Sequence, residues 1–216
     1  MIKNHLKIAF RSLMRRRTFT FINLLGLSLG IAAALFSFLW VQNEFAVDRH
    51  HEKSDSIYRI NSTLHVGNGN TWYWPNSSYA LQEVLKNEVP EVIQSAVIYE
   101  DTWQKPSLRK NAMLLSVKEL GYVSDNWFDV FDYEFVAGTE LGFSSQLHSA
   151  ILTQNLAERL FGKVDIVGET FQLDTTQFTV HAVIENYPSN SSFNHELLLP
   201  LNYYFSLPFK KENSLD

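Results

Sequence analysis

Cysteine is absent from the 216 residues, so the chain can build neither a disulfide framework nor a thiolate metal site, and cysteine usage leaves its redox compartment open. Acidic charge is missing where basic charge is dense. None of the 23 acidic residues lies in the first 18 positions, which hold Lys3, Lys7, Arg11, Arg15, Arg16 and Arg17. Residues 19–41 then carry no charge of either sign. Also lacking are a Gly-x-x-x-x-Gly-Lys-Ser/Thr loop to cradle nucleotide phosphates and a His-Glu-x-x-His zinc motif. ATP hydrolysis and zinc-protease chemistry therefore have no basis in the sequence. No catalytic residue, metal ligand or cofactor is expected, and the chain is not read as an enzyme.

The uncharged run at 19–41 is rich in Leu, Ile, Phe, Ala and Gly. As a helix rising ~1.5 Å per residue it spans about 35 Å, a little more than the ~30 Å hydrocarbon core, so it can cross a bilayer with some tilt. Arg15, Arg16 and Arg17 precede it, whereas Glu44 and Asp48 follow. That bias places the N-terminus in the cytoplasm and the remainder outside, with Trp40 as an interfacial anchor. A cleaved signal peptide has an apolar region of only about 7–15 residues. The terminal basic cluster suits a membrane surface, because a nucleic-acid binder spreads basic residues over a folded face.

Two finer patterns lie in this region. Ile2, Leu6, Ala9, Phe10, Leu13 and Met14 share one helical face, with Asn4, Lys7, Arg11 and Arg15 opposite, which predicts an amphipathic helix in the inner headgroup layer. Gly26, Gly30 and Ala34 recur at intervals of four, a smooth strip against which another helix can pack closely.

Residues 42–55 are polar and are expected to continue the helix as a stalk. Within them His50, His51 and Glu52 read as a solvated junction, since adjacent histidines diverge on a helix. Alternation over 58–66 predicts a strand, with a turn at 67–70. A helix capped by Ser77 or Ser78 is expected over 77–87, then strands at 93–99 and 112–118 and a short helix capped by Asp125 and running through Phe131. Further on, a strand at 149–152 leads into a helix at 154–161 that Gly162 ends, and strands at 170–173 and 177–184 form a hairpin about residues 174–176. The mixture predicts an α+β domain over 56–216, following a cytoplasmic segment at 1–18, a transmembrane helix at 19–41 and a linker at 42–55. Trp72, Tyr73 and Trp74 form either an exposed binding edge or a strand packed against its neighbours.

Several fragments, in order, resemble bacterial permease subunits of the MacB/FtsX-like class. They include Lys7-Ile8-Ala9-Phe10-Arg11-Ser12-Leu13, Phe21-Ile22-Asn23-Leu24-Leu25-Gly26-Leu27, Asp48-Arg49-His50-His51-Glu52-Lys53 and Ile57-Tyr58-Arg59-Ile60. Further along come Val89-Pro90-Glu91-Val92, Tyr122-Val123-Ser124-Asp125-Asn126-Trp127-Phe128-Asp129-Val130-Phe131, Leu160-Phe161-Gly162, Val167-Gly168-Glu169-Thr170 and Pro188-Ser189-Asn190-Ser191. The resemblance implies a MacB-like periplasmic core domain on a membrane subunit of an ABC transporter of the bacterial inner membrane. A separate ATPase drives the outer domain in efflux or export, and a second permease copy, a polytopic partner or a periplasmic protein completes the assembly. Similar permeases return to the membrane, whereas the apolar stretches at 197–201 and 203–209 are short and broken by Pro200 and Pro208. The expectation is a truncated permease, with a partner supplying the missing helices as the other reading. A membrane-anchored binding or sensory module without an ATPase is the rival function.

Overall fold

A computed structural model describes residues 2–67, 69–100 and 106–207, with the backbone alone at 2, 3, 6, 9 and 13. Asn68 of the expected turn, the middle of the polar connection before residue 106, and Pro208 and Phe209 lie outside the described residues. Two compact units are present, Met1–Val47 and Asp48–Asp216.

The first unit is helical. α1 (Ile2–Arg15) and α2 (Arg17–Phe45) are separated by Arg16 alone, whose φ of −116° and ψ of 58° break the helical path. On the expected apolar face of α1, Phe10 and Met14 are exposed, and the other four side chains fall outside the described set. α2 has 29 residues, none buried, and its most apolar 18-residue stretch has a mean hydropathy of 2.2, so it is long and apolar enough to cross a membrane. Its ~44 Å length exceeds the ~30 Å hydrocarbon core by about two and a half turns. Ser28 does not disturb it, because its hydroxyl donates to the Leu24 carbonyl at 2.7 Å and so keeps a partner within the helix. The helix stops at Phe45, four residues beyond the uncharged run, and residues 46–53 are turns leading to a 3₁₀ turn at Ser54–Ser56. The expected helical stalk over 42–55 is thus mostly non-helical.

The second unit is α+β. Its smaller sheet is the hairpin β1 (Ser62–Val66) and β2 (Asn70–Trp74). The larger sheet contains β3 (Ile98–Glu100), β4 (Ser107–Lys110), β5 (Met113–Ser116), β6 (Leu120–Val123), β7 (Phe135–Ala137), β8 (Ser149–Thr153), β9 (Thr170–Leu173), β10 (Thr176–Ile184) and β11 (Leu197–Pro200). Their order is β3-β6-β11-β8-β10-β9-β4-β5, with β7 also on β10. The pairs β6–β11 and β8–β10 are parallel and the others antiparallel. Helices α3 (Leu81–Glu88), α4 (Trp127–Val130), α5 (Gln154–Phe161) and α6 (Leu201–Ser206) complete the unit.

Both faces of the large sheet are covered, which explains why its central strands read as plain apolar runs. Leu197 and Leu199 join one core cluster with Leu120, Leu152 and Leu156, while Leu198 joins another with Val123, Ile151 and Trp127. A register shift between Val180 and Ala182 inserts one extra residue in β10, so Val180 and Val183 reach the same cluster although they are three apart. α5 occupies the expected range, 154–161. The Thr153 hydroxyl accepts from the Leu156 N–H at 3.4 Å, Leu156, Ala157 and Leu160 are buried, and Gly162 ends the helix at φ 73°.

Other boundaries moved for tertiary reasons. Of 93–99 only the end pairs with β6, and Ile93 is 97% exposed. The helix at 77–87 begins at Leu81 after Ala80, without a side-chain cap, and α4 follows Asn126, not Asp125. Trp72, Tyr73 and Trp74 form β2, which is exposed along its whole length.

Candidate functional site

The residues singled out on the first unit are all exposed. Lys7, Arg11 and Arg15 lie on α1, Arg16 at the break and Arg17 at the start of α2, with the Arg17 Nε–H donating to the Met14 carbonyl at 3.3 Å. Gly26, Gly30 and Ala34 line one side of α2, and a Cβ added at either glycine would meet nothing within 4 Å.

The chemistry concentrates at the start of the second unit, where the chain enters it from α2. Asp48 adopts a left-handed φ of 56° and turns its carboxylate onto the segment at 190–192. Its Oδ1 accepts from the Ser192 N–H at 2.7 Å and the Ser191 hydroxyl at 3.4 Å, and its own N–H donates to the Asn190 carbonyl at 3.1 Å. The Glu52 N–H donates to Asp132 Oδ2 at 2.8 Å, and Lys53 Nζ donates to the Asp129 carbonyl at 2.8 Å. His51 lies between these clasps, 3% exposed, with its Nδ1 accepting from the Asp132 N–H at 3.1 Å. Residues 48–53 are therefore latched to two loops about 80 and 140 residues away, and of the junction expected to be solvated His50 and Glu52 are exposed while His51 is buried.

A rigid aromatic bed supports the latch. The His51 ring meets Phe131 edge-on at 5.3 Å, and Phe131 stacks against Trp127 at 4.2 Å. Trp127 is buried, and its Nε1–H donates to the Tyr133 hydroxyl at 2.9 Å. Burial pushes the Tyr133 hydroxyl up to about 12, so it stays neutral. Sequence reasoning missed this arrangement. The available signal was that Asp48-Arg49-His50-His51-Glu52-Lys53 and Pro188-Ser189-Asn190-Ser191 both stood out as fragments, which the fold brings together.

Asp48, His50 and His51 also place a carboxylate oxygen and two ring nitrogens within 4.8 Å of one another, despite the adjacency expected to separate the histidines. The segment is a turn and not a helix, which allows it. The tautomer argues against a cation there. With Nδ1 accepting a backbone N–H, the neutral His51 ring carries its hydrogen on Nε2, and neither nitrogen has a lone pair to offer. A second buried histidine, His195, bonds Glu100 at 2.9 Å, and that hydrogen bond, more than any other cause, holds the Glu100 carboxyl below its usual range. Glu196 binds Arg159 at 2.7 Å instead of completing a zinc motif.

A depression of about 170 Å³ beside Tyr122, Leu173, Tyr203 and Tyr204 falls short of the ~300–1,000 Å³ of ligand pockets, and a larger one along Lys110 and Gln172 is open surface. The hydrogen bonds of Asp48, His51, Glu52 and Lys53 hold a chain segment against the domain.

Residues 20–214 match the family model of the MacB-like periplasmic core domain, and the chain belongs to that family. A domain of a permease protein from Porphyromonas gingivalis has the same fold, with a TM-score of 0.56 at 18% identity over 71% of this chain. This chain covers 64% of that one. The extracellular domain of the noncanonic ABC-type transporter YknZ from Gram-positive bacteria gives a TM-score of 0.49 at 20% identity, covering 60% of this chain and 65% of its own. The periplasmic region of MacB from Actinobacillus actinomycetemcomitans gives 0.48 at 17%, covering 62% and 59%. No curated protein matches the chain significantly.

Proposed function

We propose that the chain is a permease-type membrane subunit of a MacB/FtsX-like ABC transporter, and that it carries movement generated by a separate cytoplasmic ATPase into an outer domain working in efflux or export. The observation that carries this reading is the latch. A helix of membrane length is followed after two residues by Asp48, which is already clamped to the domain. Such a connection passes a push or rotation onward, whereas a tethered binding module needs only a flexible linker. Membership of the MacB-like periplasmic core domain family supports it.

In this reading α2 spans the bacterial cytoplasmic membrane with its N-terminus inside, α1 rests on the inner leaflet through Lys7, Arg11 and Arg15, and the domain is periplasmic. The open strip at Gly26, Gly30 and Ala34 receives a helix of a second copy or of a polytopic partner. Recovery from gently solubilised native membranes tests the assembly: an ABC ATPase and a polytopic or second permease copy are expected with the chain. Recovery of the chain alone, under conditions that keep a known ABC complex intact, favours the anchored sensory module instead.

A further inference from the structure

The His51 ring can hold its place in only one protonation state. Its Nδ1 accepts the Asp132 N–H, so a proton arriving there sets two N–H groups head to head at 3.1 Å. Nε2 is buried as well and meets no hydrogen-bond partner among the described residues, so it offers no compensating site. The ring lies against Phe131 and within 6.3 Å of Tyr133, in an environment poor in water. We propose that His51 is a proton-operated release for the junction latch: the neutral ring holds residues 48–53 on the domain, and protonation frees them.

The groups acting on the ring divide. Burial opposes its charging most strongly and His50, 4.0 Å away between ring centres, also opposes it, while the carboxylates of Asp132 and Asp48 favour it. The balance lowers the His51 pKa from the ordinary 6.5. A base depressed in this way stabilises the folded junction fully above 6.5, and that contribution drains away as pH falls below it, because the released ring takes up a proton that the latched ring refuses. Acid therefore loosens the segment between helix and domain. That this interrupts transmission rests on the function proposed above; the release itself does not.

A nitroxide on Ser56→Cys, unambiguous in a chain without cysteine, reports the latch in the full-length protein reconstituted in lipid. A second label at Gln177→Cys, on an exposed position of β10, monitors the sheet. Between pH 7.5 and about 5 the Ser56 label is expected to lose its slow spectral component while the Gln177 label is unchanged. His51→Asn keeps an acceptor for the Asp132 N–H without titrating, so its Ser56 label should stay slow at both pH values. His51→Phe removes the acceptor and should be mobile at both. A wild-type label that stays slow at pH 5, or an Asn variant that follows the wild type, overturns the proposal, as does ring ¹⁵N spectroscopy showing Nε2 without its hydrogen at pH 7.5. Line shape reads the latch alone. A pH-indifferent latch leaves the transmission reading standing, and full transport with an open latch defeats that reading while the release survives.

Discussion

Under the proposed transmission of ATP-driven movement, insertion of Gly-Ser-Gly-Ser between Val47 and Asp48 is expected to cut export by about tenfold or more in the assembled transporter while ATP hydrolysis continues. The size follows from slack. Four flexible residues have a mean span of about 11 Å, whereas helix displacements at moving interfaces run from about 1–2 Å to a one-turn shift of about 5 Å. A linker that can absorb more than the whole stroke delivers none of it. α2 remains helical to Phe45 and Asp48 remains clamped to Ser191 and Ser192, so the insertion changes only the link between them. Transport and ATP turnover measured in the same vesicles decide it: an unchanged ratio of substrate moved per ATP rejects rigid transmission.

Trp127→Ala should produce the largest loss of stability of any single change near the latch. The side chain is 1% exposed, touches Phe131 and Phe193, and donates to Tyr133. Emptying such a site costs about 3–5 kcal/mol, against a typical total of about 5–15. In a chain of this size that corresponds to a fall in melting temperature of roughly 6–20 °C. The buried Tyr133 hydroxyl also loses its best donor, keeping only Tyr187 at 3.5 Å. Trp127→Phe retains most of the packing and should cost about 1–2 kcal/mol for the lost hydrogen bond. Melting of the full chain in detergent, followed by circular dichroism, measures both. An Ala variant within about 1 kcal/mol of wild type contradicts the aromatic bed beneath His51.

What the sequence disclosed was what local chemistry controls. α2 follows from an uncharged run, and α5 from the short strand before it and the terminating Gly162, signals that lie close together in the chain. β9 and β10 follow from alternation about a turn at Asp174, whose φ is 50°. β6 and β11 did not emerge, because strands covered on both faces lose alternation: Leu197, Leu198 and Leu199 are all buried, yet they divide between two clusters. The latch was illegible for a different reason. Asp48 meets Ser192 across 144 positions and His51 meets Asp132 across 81, and no local pattern encodes such meetings. On a continuing helix His50 and His51 would diverge, but the left-handed turn at Asp48 redirects the chain, and His51 is buried. Charge at the first unit was legible as a list, since Lys7, Arg11, Arg15, Arg16 and Arg17 need no fold to be exposed.

Cysteine labelling tests most directly whether α2 divides the protein between two compartments. With single cysteines introduced at Ser56 and at Ser12, a membrane-impermeant maleimide applied to intact spheroplasts should label Ser56→Cys and reach Ser12→Cys only after lysis. Labelling of Ser12→Cys in intact spheroplasts with Ser56→Cys protected, or protection of both until lysis, would contradict a domain held outside on a membrane-crossing helix.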